Sequence, residues 1–584
     1  MGSYTTNGIV HLTDIAVWRK QQYKKGICKI MTENKLSRIN KNVTHGNLIK
    51  KAILGAGICL NAAALISAYL YTKGYSTHPF LHILYLSSIF YVLYLVNPFS
   101  AFYSLHVDKT KPCVLLISFV AILTCVLCLL PMRWNPIWNG DVPEHRDQYV
   151  ELADALLEGH LDVHRDDDVS ELMKMNNPYD YEARTAKGIS YEWDHAFYKG
   201  HYYVYFGVVP AVLLYAPFKA ITGTALAVWA GTAVFTALAI LGIFILGYQI
   251  AKKGNFEAPL LLYLSLCPSI SFAIFWYATK YPALYCTAIT SGVCFSIWSF
   301  YFFYRAFYVD ESPVVWRIAA GALCGALVFG CRPPIGLSEI AFLPLVVSSF
   351  RKQIGKKNVE KKKIIQEIAA FTLPYILTAV LLMMYNYARF HNPFEFGVSY
   401  QLTITDQSIY KGNFFKRISI ITFLNYIGQY FLSFSPLTIG YPWVTEGLGL
   451  LITSPVLWLA FKPWSPMIKG KSQRWFHIML LLAVAAVIES QTLYVPFASV
   501  RYRMDFLFIL GVCVLFQVLY SYQDVPGIAL PKRWYALMVE YLCLVTSCIA
   551  FLQFFTGGDC ALVDMKPELT YQLSQFFTMG ILGG

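Results

Sequence analysis

The sequence predicts an all-α fold: a polytopic transmembrane helix bundle of about 11–13 spans, with a large extracytoplasmic first loop carrying short amphipathic surface helices. Three observations predict it. Of 584 residues, 57% are hydrophobic and only 14% are charged, with a mean hydropathy of +0.48, whereas a soluble domain carries about 25% charged residues. Apolar runs near the ~20 residues needed to cross a bilayer recur along the chain. Lys and Arg gather between those runs in a pattern that a single orientation explains. Together these exclude a cytosolic enzyme, a disordered chain and a disulfide scaffold. The 14 Cys lie mostly inside apolar runs (Cys59, Cys125, Cys128, Cys267, Cys294) and read as small buried hydrophobes.

Residues 1–51 form a basic cytoplasmic segment, with ten Lys/Arg against Asp14 and Glu33. Nucleic-acid binding would account for such a tail, but the positive-inside rule does so more simply, because an apolar run begins directly after Lys51. The polar start predicts no cleavable signal peptide. Apolar runs then fall at 52–71, 80–97, 113–132, 222–250, 258–276, 283–304, 315–331, 334–350, 366–388, 447–461, 476–494, 505–521 and 534–555. With the N-terminus inside, the third run delivers 133–206 outside, where fifteen Asp/Glu face seven Lys/Arg. Lys252 and Lys253 fall inside, as does the stretch from Arg351 to Lys363 with its seven Lys/Arg and one Glu.

This holds only if 207–221 and 416–436 do not cross. Pro210 and Pro217 interrupt the first, Asn425 and Gln429 the second, so both read as re-entrant or interfacial segments. The chain then divides into 1–51; two leading spans and a cytoplasmic loop (52–112); a span, the acidic outer loop and the re-entrant segment (113–221); a middle bundle (222–388); a second outer loop (389–446); and the C-terminal spans and outer tail (447–584).

Within the first loop, Tyr149, Leu152, Ala153, Leu156 and Leu157 recur at helical spacing, with Glu151, Asp154 and Glu158 opposite. Asp147 is placed to start this helix as an N-cap and Gly159 to end it. Asp194 precedes a Lys199-Gly200 turn in an aromatic stretch. It reads either as a turn residue or, with Asp147, as one of two carboxylates able to deprotonate and position an acceptor. Asp166–Asp168 reads as a solvated acidic turn. His145, His160, His164, His195 and His201 match no zinc spacing, and no metal site is assigned.

At these residues the chain resembles the GT-C superfamily of membrane glycosyltransferases. The shared pattern is a span, an acid early in the first outer loop (Asp147), Tyr149, a surface helix ending at Gly159, then Gly200-His201-Tyr202-Tyr203 leading to Val209-Pro210. The stretches Arg389–Gly397 and Arg501–Phe506 add to it. Two departures stand out: Asp147-Gln148 replaces the Asp-Glu of many relatives, and two extra spans precede the first catalytic one. The resemblance implies an inverting transfer of sugar from a polyprenyl-phosphate-linked donor to a cell-envelope glycan or lipid-linked acceptor. It sets this multi-pass protein in the plasma membrane, with the site extracytoplasmic.

Asp147 would then be the general base and Asp194 the second carboxylate. Arg332, Arg389, Arg501, Arg503 and Lys280, all at span ends, would hold the donor phosphate. Asp141, His145, Tyr149, His195 and Tyr203 would meet sugar or acceptor. No cofactor is fixed, a divalent metal stays open as an alternative, and nucleic acid is not a partner. The rival readings are a lipid or polysaccharide flippase or transporter, a glycan polymerase or ligase, and a non-catalytic relative. Flippases place their charges within spans, whereas Asp147 and Asp194 lie in a loop.

Overall fold

The computed structural model describes residues 51–66, 89, 93, 101–134, 148–282, 284–310, 313–355, 361–410, 418–434, 446–461, 471–494, 498–520, 522, 529–554, 567–569 and 571–572. The chain divides into two compact units, Met1–Ser104 and Leu105–Gly584. The first contains the helix Lys51–Ile66 and a 3-10 turn, Ala101–Ser104. The proposed span at 80–97 and the basic segment lie outside the described residues, apart from Lys51, Ile89 and Leu93.

The second unit is an all-α polytopic bundle. Among the described residues nine helices are long and apolar enough to cross a membrane: Lys111–Met132, Trp229–Lys253, Leu260–Lys280, Tyr285–Val309, Pro333–Ile354, Lys361–Phe390, Arg474–Leu493, Val500–Tyr520 and Lys532–Gln553. Val500–Tyr520 is the core helix, its central window 94% buried. Lys361–Phe390 is the opposite case, with Leu373, Ile376, Leu377, Leu381 and Met384 all exposed. A helix so apolar and so bare has found its solvent in lipid tails rather than in protein. Pro268 and Pro374 stand inside their helices, and each removes a backbone donor there.

Five apolar stretches do not form long helices among the described residues; two of them, expected to span at 52–71 and 315–331, give only the shorter helices Lys51–Ile66 and Val315–Phe329. Ala211–Thr222 and Ile420–Leu432 are short, as their interrupting residues predict. The stretch 447–461, expected to span, instead folds as a four-residue helix, Leu450–Thr453, followed by the 3-10 helix Pro455–Phe461. Pro455 cannot donate to the preceding turn, and Ser454 leaves helical geometry (φ −134°, ψ 64°). At ~2 Å per residue the 3-10 segment falls well short of the ~30 Å hydrocarbon core.

The described part of the loop, 148–206, packs on a small core shared with Ala211–Thr222 and Leu402. The surface helix Gln148–Glu158 ends where Gly159 turns left-handed (φ +88°), and the His160 N–H reaches back to the Ala155 carbonyl at 2.9 Å. Tyr149, Leu152 and Ala155 are buried with Val163, Phe197, Tyr202 and Tyr215. Leu157, expected on the apolar face, is 49% exposed. The Tyr149 ring stacks on Tyr215 (5.4 Å, 22°), and Lys219 pairs with Asp154, fixing the surface helix to Ala211–Thr222.

The described residues hold one two-stranded sheet, Ala196–Tyr198 (β1) antiparallel to His201–Tyr203 (β2). Lys199 and Gly200 turn it, both at positive φ (+52° and +87°), as a tight hairpin requires. Its edge then draws in the second long loop. Ala196 bridges Gln401, the Leu402 N–H donates to the His195 carbonyl (2.9 Å), and Arg184 donates to the Thr403 carbonyl (2.8 Å).

Candidate active site

Asp194 sits where the two long loops meet. Its backbone is left-handed (φ +62°), a region that costs most residues energy and that Asp tolerates better than bulkier ones. Its neighbours impose the conformation. The Asp194 N–H donates to the Leu402 carbonyl (3.1 Å), and its own carbonyl accepts from Gln148 Nε2 (2.8 Å). The carboxylate is held as firmly: Oδ1 accepts from the Tyr205 hydroxyl (3.0 Å) and Oδ2 from the Tyr285 hydroxyl. Strain persists only where surroundings over-determine it, and it gathers at functional positions.

Asp194 lines a cavity of about 990 Å³ whose wall also includes Tyr205, Tyr285, Arg332, Arg389 and Arg501. The three arginines differ in their freedom. Arg332 is committed to Asp505, with Nε to Oδ1 at 2.7 Å and Nη2 to Oδ2 at 2.9 Å; Asp505 is fully buried and also accepts from Gln491 (3.0 Å). Arg389 donates to the Val204 carbonyl (2.7 Å) and Asn386 Oδ1 (2.9 Å), and lies over the Tyr385 ring at 3.8 Å. Arg501 has no carboxylate partner among the described residues. It lies over Tyr285 (4.2 Å) and Tyr502 (5.0 Å) and donates to the Tyr502 hydroxyl (3.1 Å). Aromatic faces hold a cation in place without neutralising it.

The wall depends on one close backbone approach. A Cβ on Gly207 would lie 2.3 Å from the carbonyl oxygens of both Gly330 and Cys331, so only glycine lets the strand past Tyr205 run against the residues before Arg332. The Val209 N–H donates to the Gly330 carbonyl (2.9 Å) across the same seam.

The remaining sequence candidates are distributed as follows. Lys280 is buried and paired with Glu446, and Arg503 is buried and donates to the Leu448 carbonyl (2.7 Å); neither lines the cavity. Tyr149 is core, with no exposed surface. Tyr203 is half-buried, its ring edge-on to Phe390 (5.3 Å), and burial raises its hydroxyl pKa. His195 is 4% exposed and turned away from the cavity toward Glu151 (3.0 Å). Asp141, His145 and Asp147 lie outside the described residues. Tyr205 and Tyr285, which end two Tyr/Trp-rich stretches (191–205 and 277–285) that read in sequence either as surfaces for stacking on sugar rings or as interface belts, join the cavity wall, as does Asn386, which carries no sequence signal.

Glu151, assigned by periodicity to the solvent face, points inward instead, between His164 and His195. Burial opposes its charge, but the two imidazoles beside it prevail and hold its carboxyl at about 2. The same contact raises the pKa of His164. Tyr205 is driven well above the usual phenol range by burial and by the charge of Asp194, so it stays a hydrogen-bond donor.

The site thus lies in a helical bundle whose two long loops meet at a cavity, with a carboxylate on one wall and arginines on others. No protein-family model matches the sequence, and no curated protein matches it. Among solved structures, the chain is similar to the Archaeoglobus fulgidus oligosaccharyltransferase in its apo form, at 13% identity and a TM-score of 0.41. The similarity covers 75% of this chain and 56% of that one, so the chain spans little more than half the archaeal enzyme's length.

Proposed function

We propose that this protein transfers a sugar from a polyprenyl-phosphate-linked donor to a cell-envelope glycan or lipid-linked acceptor at the outer face of the plasma membrane, with inversion. The observation that carries the proposal is the cavity that brings Asp194 and Arg501 to one side chain, Tyr285, whose hydroxyl donates to the acid and whose ring lies under the cation. Single displacement needs a carboxylate to take the acceptor hydroxyl's proton as that oxygen attacks the sugar carbon. It also needs cations where negative charge grows on the departing phosphate oxygen.

Arg332 is already neutralised by Asp505, whereas Arg501 and Arg389 have no carboxylate partner among the described residues; of these two, Arg501 shares Tyr285 with Asp194. Arg389 holds the wall through Val204 and Asn386. Asp147 remains the base that the resemblance implies. Its neighbour Gln148 is hydrogen-bonded to the Asp194 carbonyl, which supports a shared role for the two acids.

The test is transfer from a defined polyprenyl-phosphate-sugar in proteoliposomes, comparing wild type with Asp147→Asn, Asp194→Asn and Arg501→Ala. Loss in Asp147→Asn and Arg501→Ala supports the reading. Unchanged transfer in Asp147→Asn removes that residue from the mechanism. Lipid translocation without transfer by the wild type would favour the flippase reading.

A further inference from the structure

Behind Asp194, on the side away from the cavity, three side chains from three separate stretches converge. Glu151 comes from the surface helix, His164 from the turn after it, and His195 from the residue next to Asp194. Glu151 Oε1 lies 3.1 Å from His164 Nε2, and Glu151 Oε2 lies 3.0 Å from His195 Nε2. The donor atoms of all three fall within 4.8 Å of one another. The side chains are only 13%, 9% and 5% exposed. We propose that Glu151, His164 and His195 form a binding site for a divalent transition metal of the zinc class, which ties the surface helix to the loop carrying Asp194.

Two features distinguish this from an ordinary buried ion pair. First, His164 Nε2 is fully buried and makes no hydrogen bond, although a carboxylate oxygen is 3.1 Å away. An N–H there would be out of line with its only near acceptor. A lone pair aimed at a shared point between the three groups has no such conflict. With metal bonds of ~2.0 Å, neighbouring ligands of a tetrahedral site stand about 3.3 Å apart; Glu151 Oε1 is 3.1 Å from His164 Nε2 and Oε2 is 3.0 Å from His195 Nε2, so each oxygen stands at ligand spacing from one imidazole.

Second, each ring's other nitrogen faces an acceptor. His195 Nδ1 is 2.9 Å from the Trp193 carbonyl, nearer than the 3.3 Å to Gln148 Nε2, and His164 Nδ1 lies 3.6 Å from Asp167 Oδ2, an ion-pair rather than a hydrogen-bond distance. The Trp193 carbonyl, the shorter contact, favours the proton on His195 Nδ1, and the Asp167 charge favours it on His164 Nδ1, which leaves both Nε2 atoms free to ligate. Glu192, 3.9 Å from His164 Nε2, or a water would complete the set. Imidazole with carboxylate suits zinc and its first-row neighbours rather than magnesium or calcium. None of the three residues lines the cavity, so the metal's role here is to hold the strained turn. The proposal does not rest on the sugar-transfer reading.

The test uses the full chain in lipid nanodiscs, purified without a polyhistidine tag, loaded with ZnCl2 and desalted. The expected result is one zinc per chain by elemental analysis, a Tm raised by zinc and lowered by chelation, and at least about tenfold weaker zinc binding in His164→Gln and Glu151→Gln. His201→Gln, at an exposed imidazole, should keep the metal. Zinc lost on desalting from the wild type, or retained equally by His164→Gln, overturns the proposal. Should the variants fail to fold, Co²⁺ loading of the wild type decides it: a four- or five-coordinate visible spectrum supports the site, and the spectrum of the aquo ion overturns it.

Discussion

The Arg501 guanidinium stands 4.2 Å from the centroid of the Tyr285 ring, and the hydroxyl of the same ring donates to Asp194 Oδ2. One aromatic side chain therefore contacts both the acid and the cation. The two bonds are separable by mutation. Tyr285→Phe keeps the cation over a ring and loses a hydrogen bond to a charged group, a change on the order of 1.5–3 kcal/mol. Transfer should fall roughly 10- to 100-fold. Tyr285→Leu removes both contacts and should fall further, with donor KM rising as well. Equal losses in the two variants would show that the cation–π contact contributes nothing to donor binding.

Arg501 has its charge unmatched by any described carboxylate, and its planar fork suits a phosphate. Arg501→Lys keeps the charge but loses bidentate contact and ring stacking, so transfer should fall less than in Arg501→Ala while remaining below wild type. Measuring kcat and KM for the donor in both variants checks this. Full activity in Arg501→Ala would transfer the phosphate-binding role to another residue.

Arg332 behaves differently because its charge is spent inside the protein. Asp505 is fully buried and receives Arg332 through two nitrogens and Gln491 through one. Asp505→Asn leaves a guanidinium without its counter-charge, which costs about 3–5 kcal/mol. The expected outcome is a clear fall in Tm, with the double variant Arg332→Met/Asp505→Leu recovering much of it. Thermal unfolding in nanodiscs measures both.

Local features are legible in the sequence and long-range ones are not. The surface helix follows from the spacing of Tyr149 and Leu152 and from Gly159, all within a dozen residues, and the Lys199-Gly200 turn needs only its own dipeptide. Glu151 fails the same logic. Helical periodicity sets it opposite Tyr149, but two imidazoles 13 and 44 positions downstream cover that face. The apolar content of 447–461 reads as a span, yet Ser454 and Pro455 break it. Arg332, Arg501, Arg503 and Lys280 look alike at span ends. Only the fold reveals that Asp505 and Glu446 have already taken two of them.

The joint between the two long loops titrates. Asp406 accepts from Asn177 Nδ2 (2.7 Å) and from the Ser408 N–H and hydroxyl (2.8 and 2.6 Å). Burial raises its pKa, but these donors outweigh burial and the net shift is below the ordinary 3.8. A lowered carboxyl pKa contributes stability at pH above the unfolded value and loses it as pH falls through the folded one. The joint should therefore stay closed through neutral and mildly acidic pH and loosen only below about pH 3.8. Hydrogen-exchange protection of 397–406, corrected for intrinsic rates, reads this directly. Asp406→Ala should lose protection already at pH 7 and show no further step on acidification.

Gly207 sets how near the aromatic strand lies to Arg332. In Gly207→Ala the added methyl meets two backbone carbonyl oxygens at 2.3 Å, and neither is the end of a flexible side chain that could swing away. The strand must retreat, stretching the Val209–Gly330 hydrogen bond and carrying Tyr205 away from Asp194 Oδ1. Misplacing a reacting group by about 1 Å can cost ~100-fold in rate, so transfer should fall far more than stability does. The comparison is kcat against Tm for Gly207→Ala, with Gly428→Ala as control: Gly428 has an ordinary helical φ (−57°), and a Cβ there meets nothing within 4 Å. If the control variant loses as much activity as Gly207→Ala, close approach at the seam is not what the site requires.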